Sequence, residues 1–333
     1  MFKKISCLAL IALVSHVGNG FARPLSEAAG WKGALSLNIA YINNESQLST
    51  GTENKKIEDL NATGESTSSK LIAPLGSVYY TLDSLKTQLF FEANSADQIS
   101  TNGLQYEFGI KHQFKDDSTL TFAAFPQLSV LNDVWEDPFL EGSDRTETEQ
   151  EVGGARISVE QIFATPLTVK YAIANSSIES ELSGQNSNLS VNEMSSLERD
   201  SLYQRLSFET MFPVAKGVFL KPNLEYTERN AEGNANSYDD YAMKLSVLVF
   251  RERYFWATTL SFGMQNYQNI NPIFDDKQDT EYVGLSSLYV YKDPFGFKDW
   301  SLSALAVYTE KESDIGFYDS KSLIVVTSAS YKF

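Results

Sequence analysis

The chain ends with Leu-Ile-Val-Val-Thr-Ser-Ala-Ser-Tyr-Lys-Phe, residues 323–333, a stretch that has the pattern of a β-strand with two different faces. Successive side chains of a strand point to opposite sides, so residues of one parity share a face. The odd face carries Leu323, Val325, Tyr331 and Phe333, whereas the even face ends in serines and a lysine. This pattern is typical of the closing strand of an outer-membrane β-barrel, although a soluble β domain could also end in such a strand.

The first 22 residues have the features of a secretory signal peptide. Lys3 and Lys4 form a basic start, an apolar run follows at 8–14, and small residues end the segment. The apolar run is too short to span a bilayer, so we predict that the segment is removed. Residues 23–333 are then predicted to form a single β-barrel domain.

The rest of the chain repeats the alternation seen at its end. Residues 31–43 place Trp31, Leu35 and Tyr41 on one face and small or polar residues on the other. Similar short segments follow, separated in turn by tight turns and by long polar loops, and no apolar stretch is long enough for a membrane helix. We therefore predict an all-β, transmembrane, antiparallel outer-membrane β-barrel of about fourteen strands, with twelve as the alternative.

The charge balance limits the partners that we expect. The formal net charge is −16, which disfavours nucleic acid and anionic phosphate surfaces. The expected location is the outer membrane of a Gram-negative bacterium, where the partners would be membrane lipids and lipopolysaccharide, the latter bridged to acidic loops by divalent cations. The terminal aromatic residues Tyr331 and Phe333 are predicted to be the signal for the barrel-assembly machinery.

The face opposite the apolar one would line the interior of the barrel, and it carries charges of both signs. Directly opposed residues of an antiparallel hairpin have a constant sum of residue numbers. A turn centred on residue 215 would place Arg205 opposite Glu225 and Glu209 opposite Lys221, and a turn centred on residue 165 would place Glu160 opposite Lys170. The predicted lumen charge band is Arg156, Glu160, Lys170, Arg205, Glu209, Lys221 and Glu225.

These pairs have two interpretations, because they could stiffen the barrel wall or select among polar solutes. The remaining predicted strands offer mainly small, uncharged inward groups, such as Ser261, Gly284, Ser303 and Ser330. The function predicted from this lumen is a channel or porin-like diffusion pore for small polar solutes. The alternative is a non-conducting structural or interaction barrel that contacts lipopolysaccharide or an envelope partner.

One long loop, residues 129–153, is unusually apolar for a barrel loop. It combines apolar and aromatic groups with carboxylates, a mixture that would let it bend into the pore. The predicted constriction residues are Trp135, Asp137, Pro138 and Phe139. The alternative is that the loop folds over the mouth of the barrel or packs on another loop.

The same loop carries a recognisable motif, Val134-Trp-Glu-Asp-Pro-Phe139 followed by Gly142 and Arg145-Thr146, and the chain also has Pro24-Leu-Ser26 near its start. With these residues the chain resembles DUF2860, an uncharacterised family of Gram-negative envelope proteins. The resemblance implies an outer-membrane protein. It implies no known activity, so it assigns no functional residue.

Residues for catalysis or metal binding are scarce. The only cysteine, Cys7, lies in the predicted signal peptide, and His112 is the only histidine beyond that peptide. Its parity places His112 on the lipid face, away from any nucleophile that it could activate. We therefore predict no enzymatic activity, no cofactor and no metal site.

Overall fold

A computed structural model describes residues 25–93, 106–126 and 133–333, which form sixteen β-strands. The strands are β1 (Gly30–Glu45), β2 (Ser66–Thr81), β3 (Thr87–Ala93), β4 (Tyr106–Gln113), β5 (Thr119–Phe125), β6 (Asp133–Trp135), β7 (Glu147–Glu160), β8 (Thr168–Ile178), β9 (Ser201–Glu209), β10 (Phe212–Ala215), β11 (Val218–Ala231), β12 (Tyr238–Phe250), β13 (Tyr254–Tyr267), β14 (Thr280–Lys292), β15 (Trp300–Ser313) and β16 (Ser320–Lys332). The predicted signal peptide lies outside the described residues.

The strands close into one antiparallel barrel. Neighbours in the chain pair with one another, and β1 pairs with β16 to close the sheet. Strand β6 pairs only with β7, within a loop, and β9 and β10 are successive segments of one barrel strand that pair with β11. The wall therefore has fourteen strands, which confirms the predicted number and rules out twelve.

Helical structure is short in the described part of the chain. The helical segments are α1 (Val191–Ser195) and four 3₁₀ turns at Ile162–Ala164, Asn234–Asn236, Pro294–Gly296 and Gly316–Tyr318. None of the helices in the described ranges has the length and apolar character needed to cross a membrane.

The two faces of the wall have the predicted parity. On β1, Leu35, Leu37 and Ile39 point outward and are 60%, 53% and 52% exposed, whereas the inward Asn38 and Ala40 are each 1% exposed. An apolar outer face with paired backbone groups is what a lipid environment requires, because unpaired backbone groups in hydrocarbon cost several kcal/mol each.

The first hairpin is longer than the sequence pattern predicted. The polar segment that follows residue 43 predicts a loop, but β1 and β2 stay paired as far as Glu45 and Ser66. Backbone pairing depends on peptide groups and not on side-chain polarity, so a hairpin can continue into water beyond its apolar part.

The barrel closes at a seam between Gly33 and the terminal residue. The Gly33 N–H donates to the Phe333 carbonyl at 2.9 Å, and the Phe333 N–H donates to the Gly33 carbonyl at 3.0 Å. The Phe333 ring covers Gly33 so closely that a Cβ on Gly33 would lie 2.5 Å from the ring. A glycine is therefore needed for the ring to lie against the wall.

Turns of two to seven residues connect the strands at one end of the barrel, the turn end, and loops of six to twenty-two residues connect them at the other, the loop end. The loops are loop 1 (46–65), loop 2 (94–105), loop 3 (126–146), loop 4 (179–200), loop 5 (232–237), loop 6 (268–279) and loop 7 (314–319). Loop 2 and residues 127–132 of loop 3 lie outside the described residues.

Candidate functional site

The inward face of the wall is rich in charge and is basic overall. By parity, the described strands place eleven basic and six acidic side chains inward, a net charge of +5 (11 − 6), although the whole chain carries −16. The basic residues are Lys32, Lys111, Arg156, Lys170, Arg205, Lys221, Arg229, Lys244, Lys292, Lys311 and Lys332. The acidic residues are Glu92, Glu107, Glu160, Glu209, Glu225 and Asp240. The lumen therefore has the opposite sign to the protein as a whole.

The predicted charge band lies on this inward face. Lys221 Nζ lies 2.9 Å from Glu209 Oε1, and Lys170 Nζ lies 3.8 Å from the other oxygen of the same carboxylate. Lys244 Nζ lies 2.8 Å from Glu225 Oε2. The carboxylates thus link neighbouring strands through their cations.

The predicted register of the hairpin that contains Arg205 is wrong. Arg205 is opposite Thr227, to whose hydroxyl its Nε donates at 2.8 Å, and Glu225 is opposite Ser207. The register is two residues away from the predicted one. As a result, Glu209 is opposite Asn223, and its contact with Lys221 is diagonal.

Pro222 marks the irregularity in this hairpin. Its carbonyl accepts from the Thr210 N–H at 3.2 Å, so its backbone nitrogen faces the same neighbour and has no hydrogen to donate. Strand β9 ends at this level, and β10 continues in the same register as far as Pro213, where the register shifts by one residue before Ala215. A proline inside a strand pattern indicates a weaker pairing or a bulge, but it does not give the register.

The predicted pair of Glu160 and Lys170 is wrong for a similar reason. Lys170 is opposite Ser158, and Glu160 is exposed near the turn end. The connection contains the 3₁₀ turn Ile162–Ala164, in which Phe163 and Ala164 have positive φ values. This compact turn shifts the register by two residues relative to a turn centred on residue 165.

Arg156 makes the most buried ion pair of the described residues. Its Nη2 lies 2.6 Å from Glu107 Oε2, and the two side chains are 8% and 0% exposed. The partners come from β7 and β4, which are separated by β5. Counting residues around a single turn cannot find such a pair.

The other side of the lumen is more apolar than the sequence pattern predicted. The small residues predicted to face inward on these strands do so, but a belt of inward aliphatic and aromatic side chains lies beside them. The buried members include Ile42, Leu75, Phe255, Leu288, Val290, Leu305, Ile324 and Val326. Because the apolar face of each strand was expected to meet lipid, the apolar residues of the inward parity were not predicted.

At the loop end, six loops share one hydrophobic core, which we call the loop cap. Its buried residues are Ile57 from loop 1, Phe139 from loop 3, Leu197 from loop 4, Ala235 from loop 5, and Ile315 and Phe317 from loop 7. Ile273 and Phe274 of loop 6 pack against them. The rings of Phe139, Phe274 and Phe317 lie 5.3 to 6.0 Å apart. The loops therefore form a single packed layer.

Arg145 joins loop 1 to loop 3 within the cap. This side chain is 2% exposed, and its guanidinium donates to the backbone carbonyls of Asn54, Gln47 and Pro138. It also lies over the Trp135 ring, 4.3 Å from the ring centroid. Burial lowers the pKa of Arg145 to about 10, an effect that the nearby Asp137 opposes, so the side chain remains charged at neutral pH.

Loop 3 is tied to loop 4 by two further charged groups. The Asp137 carboxylate accepts from the backbone N–H groups of Phe139 and Gly184, at 3.1 and 3.0 Å. Arg199 donates to the Glu181 carboxylate at 2.7 Å and to the Trp135 carbonyl at 2.7 Å. Arg199 was not identified from the sequence, because its partners are distant along the chain.

The structure places the four predicted constriction residues inside the loop cap. Trp135, Asp137 and Phe139 are 2%, 5% and 6% exposed, and Pro138 is also buried. They pack against other loops, which corresponds to the alternative stated for this segment. Within the described ranges, the Trp135 indole N–H has no hydrogen-bond partner.

His112 lies on the outward parity near the turn end. Its Nδ1 is 2.9 Å from the Thr87 hydroxyl, and its ring meets the Phe114 ring edge-on at 4.9 Å. Within the described ranges, no group of three or more His, Cys, Asp or Glu side chains is arranged to hold a metal ion.

Comparison with known proteins gives a family and several similar folds. The chain resembles the CymD monoaromatic hydrocarbon channel at 10% identity, with 93% of this chain and 90% of that chain covered and a TM-score of 0.48. It resembles a FadL homologue of Pseudomonas aeruginosa at 9% identity, with 91% of this chain and 90% of that chain covered and a TM-score of 0.44. It resembles the outer membrane channel DcaP of Acinetobacter baumannii at 11% identity, with 92% of this chain and 97% of that chain covered and a TM-score of 0.45. No curated protein matches the chain. The family model described as "Protein of unknown function (DUF2860)" matches residues 30–332, and the chain therefore belongs to that family.

Proposed function

We propose that the protein is an outer-membrane channel for small polar solutes in a Gram-negative bacterium, with its loop end facing the cell exterior. The observation that carries the proposal is the contrast between the two faces of the wall. The outward face is apolar, whereas the inward face holds seventeen charged side chains (11 + 6) among the described residues. Inward charge is costly in a packed protein core, but it is favourable where water fills a pore.

The balance of these charges supports a preference for anions. The inward net charge of +5 raises the local concentration of negative ions along the pore. Several of the cations are fixed by carboxylates of neighbouring strands, so their positions in the wall are defined. Solutes with a carboxylate or phosphate group would pass such a lumen more readily than cations of the same size.

Replacing two of the cations in the band should reduce this preference. In planar bilayers with a salt gradient, we expect Arg205→Gln with Lys221→Gln to move the reversal potential toward that of a cation-selective pore, because the inward charge falls from +5 to +3 (5 − 2). Lys70→Gln is the matched control, since Lys70 lies on the outward face of β2. An unchanged reversal potential in the double variant would exclude this band as a selectivity filter.

The loop cap supports a second candidate function, a non-conducting barrel that interacts with the envelope. The cap has a core of its own, and the outward face near the loop end places Glu281 directly opposite Glu312. Like charges at opposed positions repel, and divalent cations shared with lipopolysaccharide phosphates would relieve the repulsion. Purified protein that binds lipopolysaccharide but shows no channel current would favour this candidate over the first.

The terminal strand is also proposed to be the segment that the barrel-assembly machinery binds. Removing Phe333 deletes two backbone hydrogen bonds and the ring that covers Gly33 at the seam. We expect a several-fold lower fraction of folded barrel in the membrane, measured by the heat-dependent mobility of the protein in gels. Lys332→Ala, which changes an inward side chain of the same strand, should assemble normally. Equal assembly of both variants would argue against a role for Phe333.

A further inference from the structure

Four inward residues form a continuous row across four neighbouring strands at the loop end of the lumen. Tyr203 on β9 is opposite Arg229 on β11, Arg229 is opposite Tyr238 on β12, and Tyr238 is opposite Tyr267 on β13. We call this set the arginine–tyrosine row. Tyr238 begins its strand and Tyr267 ends its strand, so the row lies directly below the loop cap.

Arg229 is held by hydrogen bonds and not by an ion pair, unlike four other inward cations of the wall. Its Nε donates to the Ser201 hydroxyl at 2.9 Å, and its Nη2 donates to the Arg199 carbonyl at 3.1 Å. A guanidinium has five N–H groups, so three remain (5 − 2). Within the described ranges, no carboxylate forms an ion pair with Arg229, whereas Arg156, Lys170, Lys221 and Lys244 each have one.

The tyrosines enclose this cation. The guanidinium carbon lies 5.6 Å from the Tyr203 ring centroid and 5.8 Å from the Tyr238 ring centroid. Tyr203 and Tyr267 are each 5% exposed, and the rings of Tyr238 and Tyr267 are 5.0 Å apart. For the hydroxyls of Tyr203, Tyr238 and Tyr267, the described part of the chain supplies no hydrogen-bond partner. The row thus combines a cation, phenolic donors and apolar ring faces.

We infer that the arginine–tyrosine row binds a small carboxylate that carries an apolar, aryl or short alkyl body. The two-pronged guanidinium fits the two oxygens of a carboxylate, and the tyrosine hydroxyls can donate to the same group. The ring faces suit the apolar body, which a strongly hydrated inorganic anion lacks. This inference deepens the proposed function, because it names the class of solute that the channel would select at its loop end.

Benzoate is a suitable probe for this site. We expect the purified protein in detergent to bind benzoate in calorimetric titration, and we expect Arg229→Gln to weaken binding by about tenfold or more. Arg229→Lys keeps the charge but loses the two-pronged geometry, so it should give an intermediate loss. Tyr203→Phe, which removes one hydroxyl, should weaken binding by a few fold. Lys311→Gln is the matched control, since Lys311 is an inward cation of β15 that lies outside the row, 5.9 Å from the Tyr282 ring.

The outcomes separate the site from the channel. Equal benzoate binding by the wild type, Arg229→Gln and Lys311→Gln would overturn the site, as would equal binding of benzamide, the uncharged analogue. Detergent titration does not depend on conduction, so a protein that binds benzoate without passing current would refute only the proposed channel. A protein that conducts but does not bind benzoate would refute only the site. The folded fraction of each variant is checked by its heat-dependent mobility in gels, and Arg229→Lys and Tyr203→Phe provide the test if Arg229→Gln fails to fold.

Discussion

Arg145→Ala is expected to open the loop cap while leaving the barrel folded. The substitution removes a buried guanidinium that donates to carbonyls of Asn54 and Gln47 in loop 1 and of Pro138 in loop 3. A buried acceptor that loses its donor costs about 1 to 3 kcal/mol, so three of them cost roughly 3 kcal/mol or more. The Trp135 ring also loses the cation that covers it.

Two measurements check this result. Limited proteolysis of the purified protein should cut the variant within loops 1 and 3 under conditions that leave the wild type intact, because an open cap exposes its backbone. Single-channel conductance should rise as well if the cap covers the mouth of a channel. Lys55→Ala is the control, since its ion pair with Asp144 is largely exposed. Identical proteolysis of the wild type and Arg145→Ala would show that Arg145 does not hold the loops together.

Gly154→Ala is expected to impair folding of the barrel itself. A Cβ at this inward position of β7 would collide with the carbonyl oxygen of Ile173 and would lie 2.7 Å from the Phe125 ring and 2.8 Å from the Ala174 Cα. Two of these contacts are to the backbone of β8, so relief requires β7 and β8 to move apart. Overpacking of this kind costs about 3 kcal/mol, and here it would also weaken a ladder of the membrane wall.

The control for this substitution is Gly284→Ala. Gly284 is also inward, on β14, but its added Cβ would meet only the flexible Ser261 hydroxyl closely, and the next atom lies 3.6 Å away. Urea unfolding in lipid vesicles should therefore show a clear loss of stability for Gly154→Ala and little change for Gly284→Ala. Similar stability of the two variants would mean that β7 and β8 can separate at low cost.

The sequence predicted the features that depend on the alternation of apolar and polar side chains along each strand. The parity of Leu35, Asn38 and Ala40 follows from the period of a strand, and repeated hairpins gave the fourteen strands of the wall. The pairing register of neighbouring strands was harder to predict, because it depends on the conformation of each turn. The partners of Arg205 and Lys170 were each displaced by two residues, at the turn between β10 and β11 in one case and at a 3₁₀ turn in the other.

The loop cap and the arginine–tyrosine row were beyond sequence reasoning for another reason. Phe139 and Phe317 meet across more than half of the chain, and no periodic pattern connects two loops that pack on each other. Tyr203 and Arg229 have the inward parity, but they lie close to long polar segments that resembled loops. The motif around Trp135 and Arg145 was visible in the sequence, although its role in joining loops 1 and 3 was not.

The shared core of the loop cap also limits how the exposed surface of this protein can diversify. In a barrel with independent loops, each loop can change its sequence to escape an antibody or a bacteriophage. Here Ile57, Phe139, Leu197 and Phe317 contribute to one core, so a substitution in one loop changes the packing of others. Variation at the loop end should therefore occur as coordinated changes in several loops or be confined to solvent-exposed positions.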